Sequence, residues 1–144
     1  MLSVLSGSDT ATQTEKPKRI LLLEDDQMLL RLLTRCIKDA GHDVATGSDV
    51  SDALHLMEES PWDLVITDGA LQASSGEELA REVKDRMPHV PLVLITGSVS
   101  KITNIELFSD ILYKPFRREI LLETIDRILN RVAGRIAGQT EATA

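Results

Sequence analysis

The chain has 144 residues, is 42% hydrophobic but only 3% aromatic, and carries a formal net charge of -7. That length suits one domain with a single, aliphatic core. The acidic balance excludes sequence-independent nucleic-acid binding, which needs a basic face, and one cysteine excludes an internal disulfide.

Residues 1–17, rich in Ser, Thr, Gln, Lys and Asp towards their end, read as a disordered leader. The start, Met1-Leu2-Ser3-Val4-Leu5, lacks the basic region and long apolar region of a signal peptide. No apolar run reaches the length of a membrane span, so a soluble cytoplasmic protein is expected. Residues 18–134 form the folded unit, where strand and helix patterns alternate five times, and 135–144 read as a flexible tail.

The first strand is Arg19-Ile20-Leu21-Leu22-Leu23. A helix follows from Gln27, with Leu29, Leu32, Leu33, Cys36, Ile37 and Ala40 at helical spacing, Asp26 as a candidate cap and Gly41 closing it. Cys36 on that apolar stripe reads as a small buried hydrophobe. A short strand over 43–46 leads to a helix over 50–59, with Ala53, Leu54 and Met57 inward and Ser60-Pro61 as its stop. The third strand is the run 63–68, ending on Asp68; Trp62 before it reads as a packing residue. Ser75-Gly76-Glu77-Glu78 has capping-box spacing and opens a helix through Leu79, Ala80 and Val83, closed by Pro88. The fourth strand starts at Pro91. The patterning of 98–109 is weak, so a fourth helix there must be short. The last strand covers 111–113, and the last helix carries Ile120, Leu121, Ile125, Ile128, Leu129 and Val132. This alternation implies an α/β fold, a parallel sheet with helices on both faces. His42, His55 and His89 share no ligand spacing and read as surface residues.

Four strands end on a polar residue: Glu24-Asp25 after the first, Asp68 at the third, Thr96 at the fourth and Lys114 after the last. An open parallel sheet places its chemistry at that edge. Such a cluster can hold a divalent cation and a phosphoryl group. Taken one at a time, these residues have ordinary readings: acids cap helices, threonines fill loops, lysines are solvated. Their joint occurrence at matching strand ends is what carries weight.

In these motifs the chain resembles the receiver domain of two-component response regulators, the CheY-like family. Glu24-Asp25 matches its acid pair, Asp68 its phosphoacceptor, Gly76 the glycine of the following loop, Thr96 its hydroxyl residue and Lys114-Pro115-Phe116 its Lys-Pro-Phe signature. The resemblance implies a flavodoxin-like sheet of five parallel strands, order 2-1-3-4-5, with five helices. It implies Mg²⁺ held by Glu24 through water, by Asp25 and Asp68 directly, and by the backbone carbonyl of Ala70. Lys114 and Thr96 would contact the phosphoryl oxygens, and the Lys114–Pro115 peptide would be cis. The implied donor is a phosphohistidine on a sensor histidine kinase or phosphotransfer protein.

The sequence departs from the family pattern in three places. Leu71-Gln72 stands where a Met-Pro pair is usual, which leaves the loop after Asp68 less restricted. Ile111 replaces the usual aromatic switch, and Tyr113 sits beside Lys114 instead. The stretch between Thr96 and Lys114 is about one helical turn short.

The expected function is that of a stand-alone receiver, phosphorylated on Asp68, which switches a partner-binding surface formed by the short fourth helix, the last strand and the last helix, with 98–110 as its mobile element, and acts as a monomer or weak homodimer. It is not expected to be an enzyme turning over a metabolite. Alternatives are a receiver cut from a hybrid kinase, or a receiver that binds partners without phosphorylation. A phosphatase of the haloacid dehalogenase kind would need a second Asp where Ala70 stands. A dinucleotide-binding domain would need a Gly-rich turn where Glu24-Asp25-Asp26 stands.

Overall fold

The computed structural model describes residues 17–59, 61–71, 74–98 and 102–143, with side chains described as far as 131. Residues 1–16 of the expected leader lie outside it. Its elements are β1 (Arg19–Leu23), α1 (Gln27–Asp39), β2 (Asp43–Gly47), α2 (Val50–Met57), β3 (Leu64–Asp68), β4 (Ala70–Leu71), β5 (Ser74–Ser75), α3 (Gly76–Arg86), β6 (Leu92–Thr96), a 3-10 turn (Ile105–Leu107), β7 (Asp110–Tyr113) and α4 (Arg118–Thr143).

Five strands form one parallel sheet in the order β2-β1-β3-β6-β7. With the small β4–β5 pair left uncounted, this is the expected 2-1-3-4-5. β1, β3 and β6 are apolar along nearly their whole length because helices cover both faces of the sheet. Ile20, Leu22, Ile66, Val93 and Ile95 pack under α1 and α4. Leu21, Leu23, Val65, Leu92 and Leu94 pack under α2 and α3 on the other side.

Local signals explain the helix ends. The Asp26 side chain accepts hydrogen bonds from the Met28 and Leu29 amides and starts α1. Gly41 follows the end of α1 with φ of 99°, a conformation that costs a glycine little. Ser75 caps α3 through the Glu78 amide. Cys36 is buried. Trp62 is buried too, donating its indole N–H to the Leu56 carbonyl while the Arg19 guanidinium lies 4.3 Å from the ring centroid.

Three expectations need correction. The inward stripe of α1 is Leu30, Leu33, Cys36 and Ile37, whereas Leu32 is 58% exposed and Ala40 lies outside. The paired leucines, Leu29-Leu30 and Leu32-Leu33, offer two overlapping faces, and the sheet selects one. Ile120 is likewise exposed, and Leu121, Thr124, Ile125 and Ile128 form the buried stripe of α4. The backbone of α4 continues to Thr143, so 135–143 are helical where composition marks a tail.

Where a short or irregular fourth helix was expected, the described residues hold only the 3-10 turn. Phe108 next to it is core, Ile102 and Leu107 pack against the core from its margin, and Ile105 is exposed. None of the described helices is long and apolar enough to cross a membrane.

Candidate functional site

Parallel pairing brings the ends of β1, β3, β6 and β7 to one edge of the sheet, and the expected residues meet there. Glu24, Asp25 and Asp68 each offer a carboxylate oxygen, all within 4.8 Å of one another. The Lys114 ammonium donates to Glu24 Oε1 at 3.2 Å and to Asp68 Oδ2 at 3.0 Å. The Lys114 backbone N–H is itself tied to the Thr96 carbonyl at 2.8 Å, which fixes the lysine to the end of β6. The Lys114–Pro115 peptide is cis.

Burial makes these contacts strong. Glu24 is 1% exposed and Asp68 8%. Loss of hydration pushes the Glu24 carboxyl up to about 7, against the opposing Asp26 amide and with help from neighbouring Asp68. Burial works to lower the Lys114 ammonium, but its hydrogen bond to Asp68 and the charges of Asp68 and Glu24 outweigh that and hold it above its ordinary value. Three carboxylates with one ammonium leave an uncompensated negative charge. An oxygen-rich set of this kind suits a hard divalent cation such as Mg²⁺, and the lysine bridging two of its members shows the demand for positive charge there.

The remaining residues shape the surroundings. Thr96 is buried, and its hydroxyl donates to the Ser98 carbonyl at 3.0 Å and accepts from the Ser98 amide at 3.1 Å. Thr96 therefore stands at the site with its hydroxyl turned into a local turn. The Ala70 amide donates to Asp68 Oδ1 at 3.4 Å. The loop after Asp68, which lacks the usual proline, is closed by the β4–β5 pairing and by a hydrogen bond from the Gly76 amide to the Gly69 carbonyl at 3.1 Å. Gly76 has no alternative: a Cβ there would lie 2.5 Å from the Asp68 carbonyl oxygen. A cavity of about 280 Å³ opens beside Asp68, walled by Gly69, Ala70, Thr96, Gly97 and Ile102.

Sequence reasoning missed Glu77. It looked like part of a helix cap, but its buried carboxylate faces the same cavity and accepts the Thr103 hydroxyl at 2.7 Å and the Asn104 amide at 2.7 Å. Nothing in its local sequence signals a partner 26 residues away. Of the histidines, His55 and His89 are exposed as expected; His42 is half-buried, with its Nδ1 enclosed and unbonded.

Comparison with known proteins agrees with this geometry. The model of the response regulator receiver domain matches residues 20–126. The response regulator receiver protein CpdR of Brucella abortus is 31% identical over 116 residues, covering 78% of this chain and 97% of that protein. A CheY-like receiver domain protein from Methanospirillum hungatei superposes with a TM-score of 0.79 at 22% identity, over 83% of this chain and 99% of that one. The response regulator TrrA of Thermotoga maritima, solved in complex with Mg²⁺-BeF, superposes with a TM-score of 0.70 at 24% identity, over 77% of this chain and 98% of that one. A five-stranded doubly wound sheet with an acid cluster and a lysine at its carboxyl edge defines a class of protein. The chain belongs to the response regulator receiver domain family.

Proposed function

We propose that this protein is a phosphorylation-controlled switch in which Asp68 accepts a phosphoryl group from a phosphohistidine on a sensor histidine kinase or phosphotransfer protein. The observation that carries the reading is the Lys114 ammonium bonded to both Asp68 and Glu24 beside an open cavity. A carboxylate with a half-buried cation partner and free space next to it can receive an anionic group.

An oxygen of Asp68 attacks phosphorus, the phosphorus–nitrogen bond of the donor breaks, and the imidazole leaves with its electron pair. Lys114 turns one of its N–H groups towards the arriving phosphoryl oxygens as a compact positive charge. Thr96 releases Ser98 and donates its hydroxyl to another oxygen. Glu24, Asp25, Asp68 and the Ala70 carbonyl are the groups that would hold Mg²⁺, with Glu24 acting through water. When bound, the ion offsets the repulsion between carboxylate and donor. The complex of TrrA with Mg²⁺-BeF supports this assignment by analogy. Positioning and charge neutralisation carry most of such a transfer.

The test is intact-mass analysis after incubation with acetyl phosphate, with and without Mg²⁺. One phosphoryl adduct is expected on the wild type with Mg²⁺ and none on Asp68→Asn. Equal labelling of the two proteins removes Asp68 as the acceptor.

A further inference from the structure

The carboxylate of Glu77 has more hydrogen-bond donors than a helix cap requires. Its oxygens accept the Thr103 amide at 3.1 and 3.2 Å, the Thr103 hydroxyl at 2.7 Å and the Asn104 amide at 2.7 Å. Every one of these donors comes from residues 103–104, the approach to the 3-10 turn, and the acceptor sits on the first turn of α3. Glu77 is 9% exposed. The donors hold its carboxyl below the usual carboxylate range, the Thr103 hydroxyl most of all. Charge-assisted hydrogen bonds of this kind are about twice as strong as neutral ones.

What this cluster holds in place is Ile102. The Ile102 Cδ1 lies 3.3 Å from where a Cβ on Gly69 would be, so the side chain rests against the residue after Asp68. Ile102 and Glu77 both wall the cavity beside Asp68. Among the described residues of the stretch that replaces the fourth helix, the bonding of Thr103 and Asn104 to Glu77 and the packing of Ile102 attach it near the site.

We propose that Glu77 is a positioning residue for the phosphoacceptor: it clamps residues 102–104 so that Ile102 closes one side of the cavity and keeps water from the phosphorylated Asp68. This inference rests on Asp68 being the acceptor. In hydrolysis a water oxygen attacks phosphorus, the bond from phosphorus to the Asp68 oxygen breaks, and the carboxylate and inorganic phosphate separate as the water loses a proton. An apolar side chain beside the phosphoryl group leaves less room for that water. Releasing the clamp admits it.

The experiment measures the decay of the phosphoryl adduct by intact mass after removal of the donor. It uses the full chain as wild type, Glu77→Gln, Thr103→Val, the double variant and Glu78→Gln. Glu78 is the exposed neighbour on the same helical turn and serves as control. Loss of one charge-assisted bond is of the order that shifts an opening equilibrium about tenfold. Decay should therefore quicken by several-fold up to about tenfold in Glu77→Gln and in Thr103→Val. The double variant should be no faster than the faster single one, because both substitutions break one clamp. Glu78→Gln should decay like the wild type.

Amide exchange at Thr103 and Asn104 should rise in step with the decay rate. Thr103→Val changes an exposed side chain, so it tests the idea even if Glu77→Gln folds poorly. Wild-type decay in both single variants, or additive acceleration in the double variant, overturns the clamp while leaving Asp68 as acceptor. Absence of any adduct on the wild type overturns the acceptor assignment and the clamp with it.

Discussion

Glu24 gives the most exacting test of the site, because its displaced titration ties pH to stability. Its carboxyl is pushed up from 4.5 to about 7 in the folded protein. Between those values the folded chain keeps a proton that the unfolded chain has released. More protons are bound to the folded state there, so stability falls as pH rises through the window. A displacement of that size corresponds to at most about 3.5 kcal/mol, at about 1.4 kcal/mol per unit. Lys114, whose titration is raised, contributes a stability that is full below its unfolded value of 10.5 and is lost only above it, so it adds no slope in this window. Other carboxylates do titrate nearby, and comparison with Glu24→Gln removes them. Urea unfolding at 25 °C should be run at half-unit steps from pH 4.5 to 8 on both proteins. The difference between wild type and Glu24→Gln should drift by about 2–3 kcal/mol against the wild type and level off above about pH 7. Mg²⁺ should oppose the drift, with a stabilisation that grows with pH, because the ion binds the ionised carboxylates. Parallel stability curves for the two proteins would refute the claim that Glu24 titrates in a buried, unfavourable setting.

Other consequences are simpler to check. Gly76→Ala places a methyl against the Asp68 carbonyl oxygen at 2.5 Å, so backbone must shift. It should cost about 1–3 kcal/mol in denaturant unfolding and slow adduct formation by acetyl phosphate, and a wild-type midpoint would show that α3 can move freely beneath Asp68. Lys114→Ala leaves Glu24 and Asp68 without their shared cation, so adduct formation should persist but slow markedly, and Mg²⁺ should raise the melting temperature more than in the wild type. A smaller rise than in the wild type counts against this repulsion. Trp62→Phe removes the bond to the Leu56 carbonyl and should destabilise by about 1–2 kcal/mol without changing adduct formation. A change in the rate of labelling would mean that the far end of β3 communicates with Asp68.

Much of the architecture was legible in the sequence because buried parallel strands are apolar throughout and end abruptly. Asp68, Thr96 and Lys114 stood out as the first polar residues after such runs, and one-edge assembly follows from parallel pairing. Helix entry was legible at Asp26 and Ser75 because caps act within a few residues. The choice of face on α1 was less legible, since adjacent leucines satisfy two stripes and only the sheet decides between them. The β4–β5 pairing is too short to show any period. Glu77 was hidden for a different reason: its partners Thr103 and Asn104 meet it only through the tertiary fold, and a glutamate at a helix start already has a sufficient local explanation.

The position of Lys114 has a mechanical consequence. Its single ammonium links residues 90 and 46 positions away in the chain, so β1 and β3 are fastened at their tips to the start of the β7–α4 connection. An ammonium has three N–H groups, and two are engaged with Glu24 and Asp68. A newcomer at Asp68 thus draws on a fastening already under shared ownership. Each N–H it recruits is withdrawn from a carboxylate or taken from the one left over. The lysine cannot rearrange without tugging on Pro115 and Phe116, which lead into α4. Chemistry confined to one strand end would in this way be felt as a pull at the root of the last helix, 99 residues (Arg19 to Arg118) from where the chain first enters the sheet.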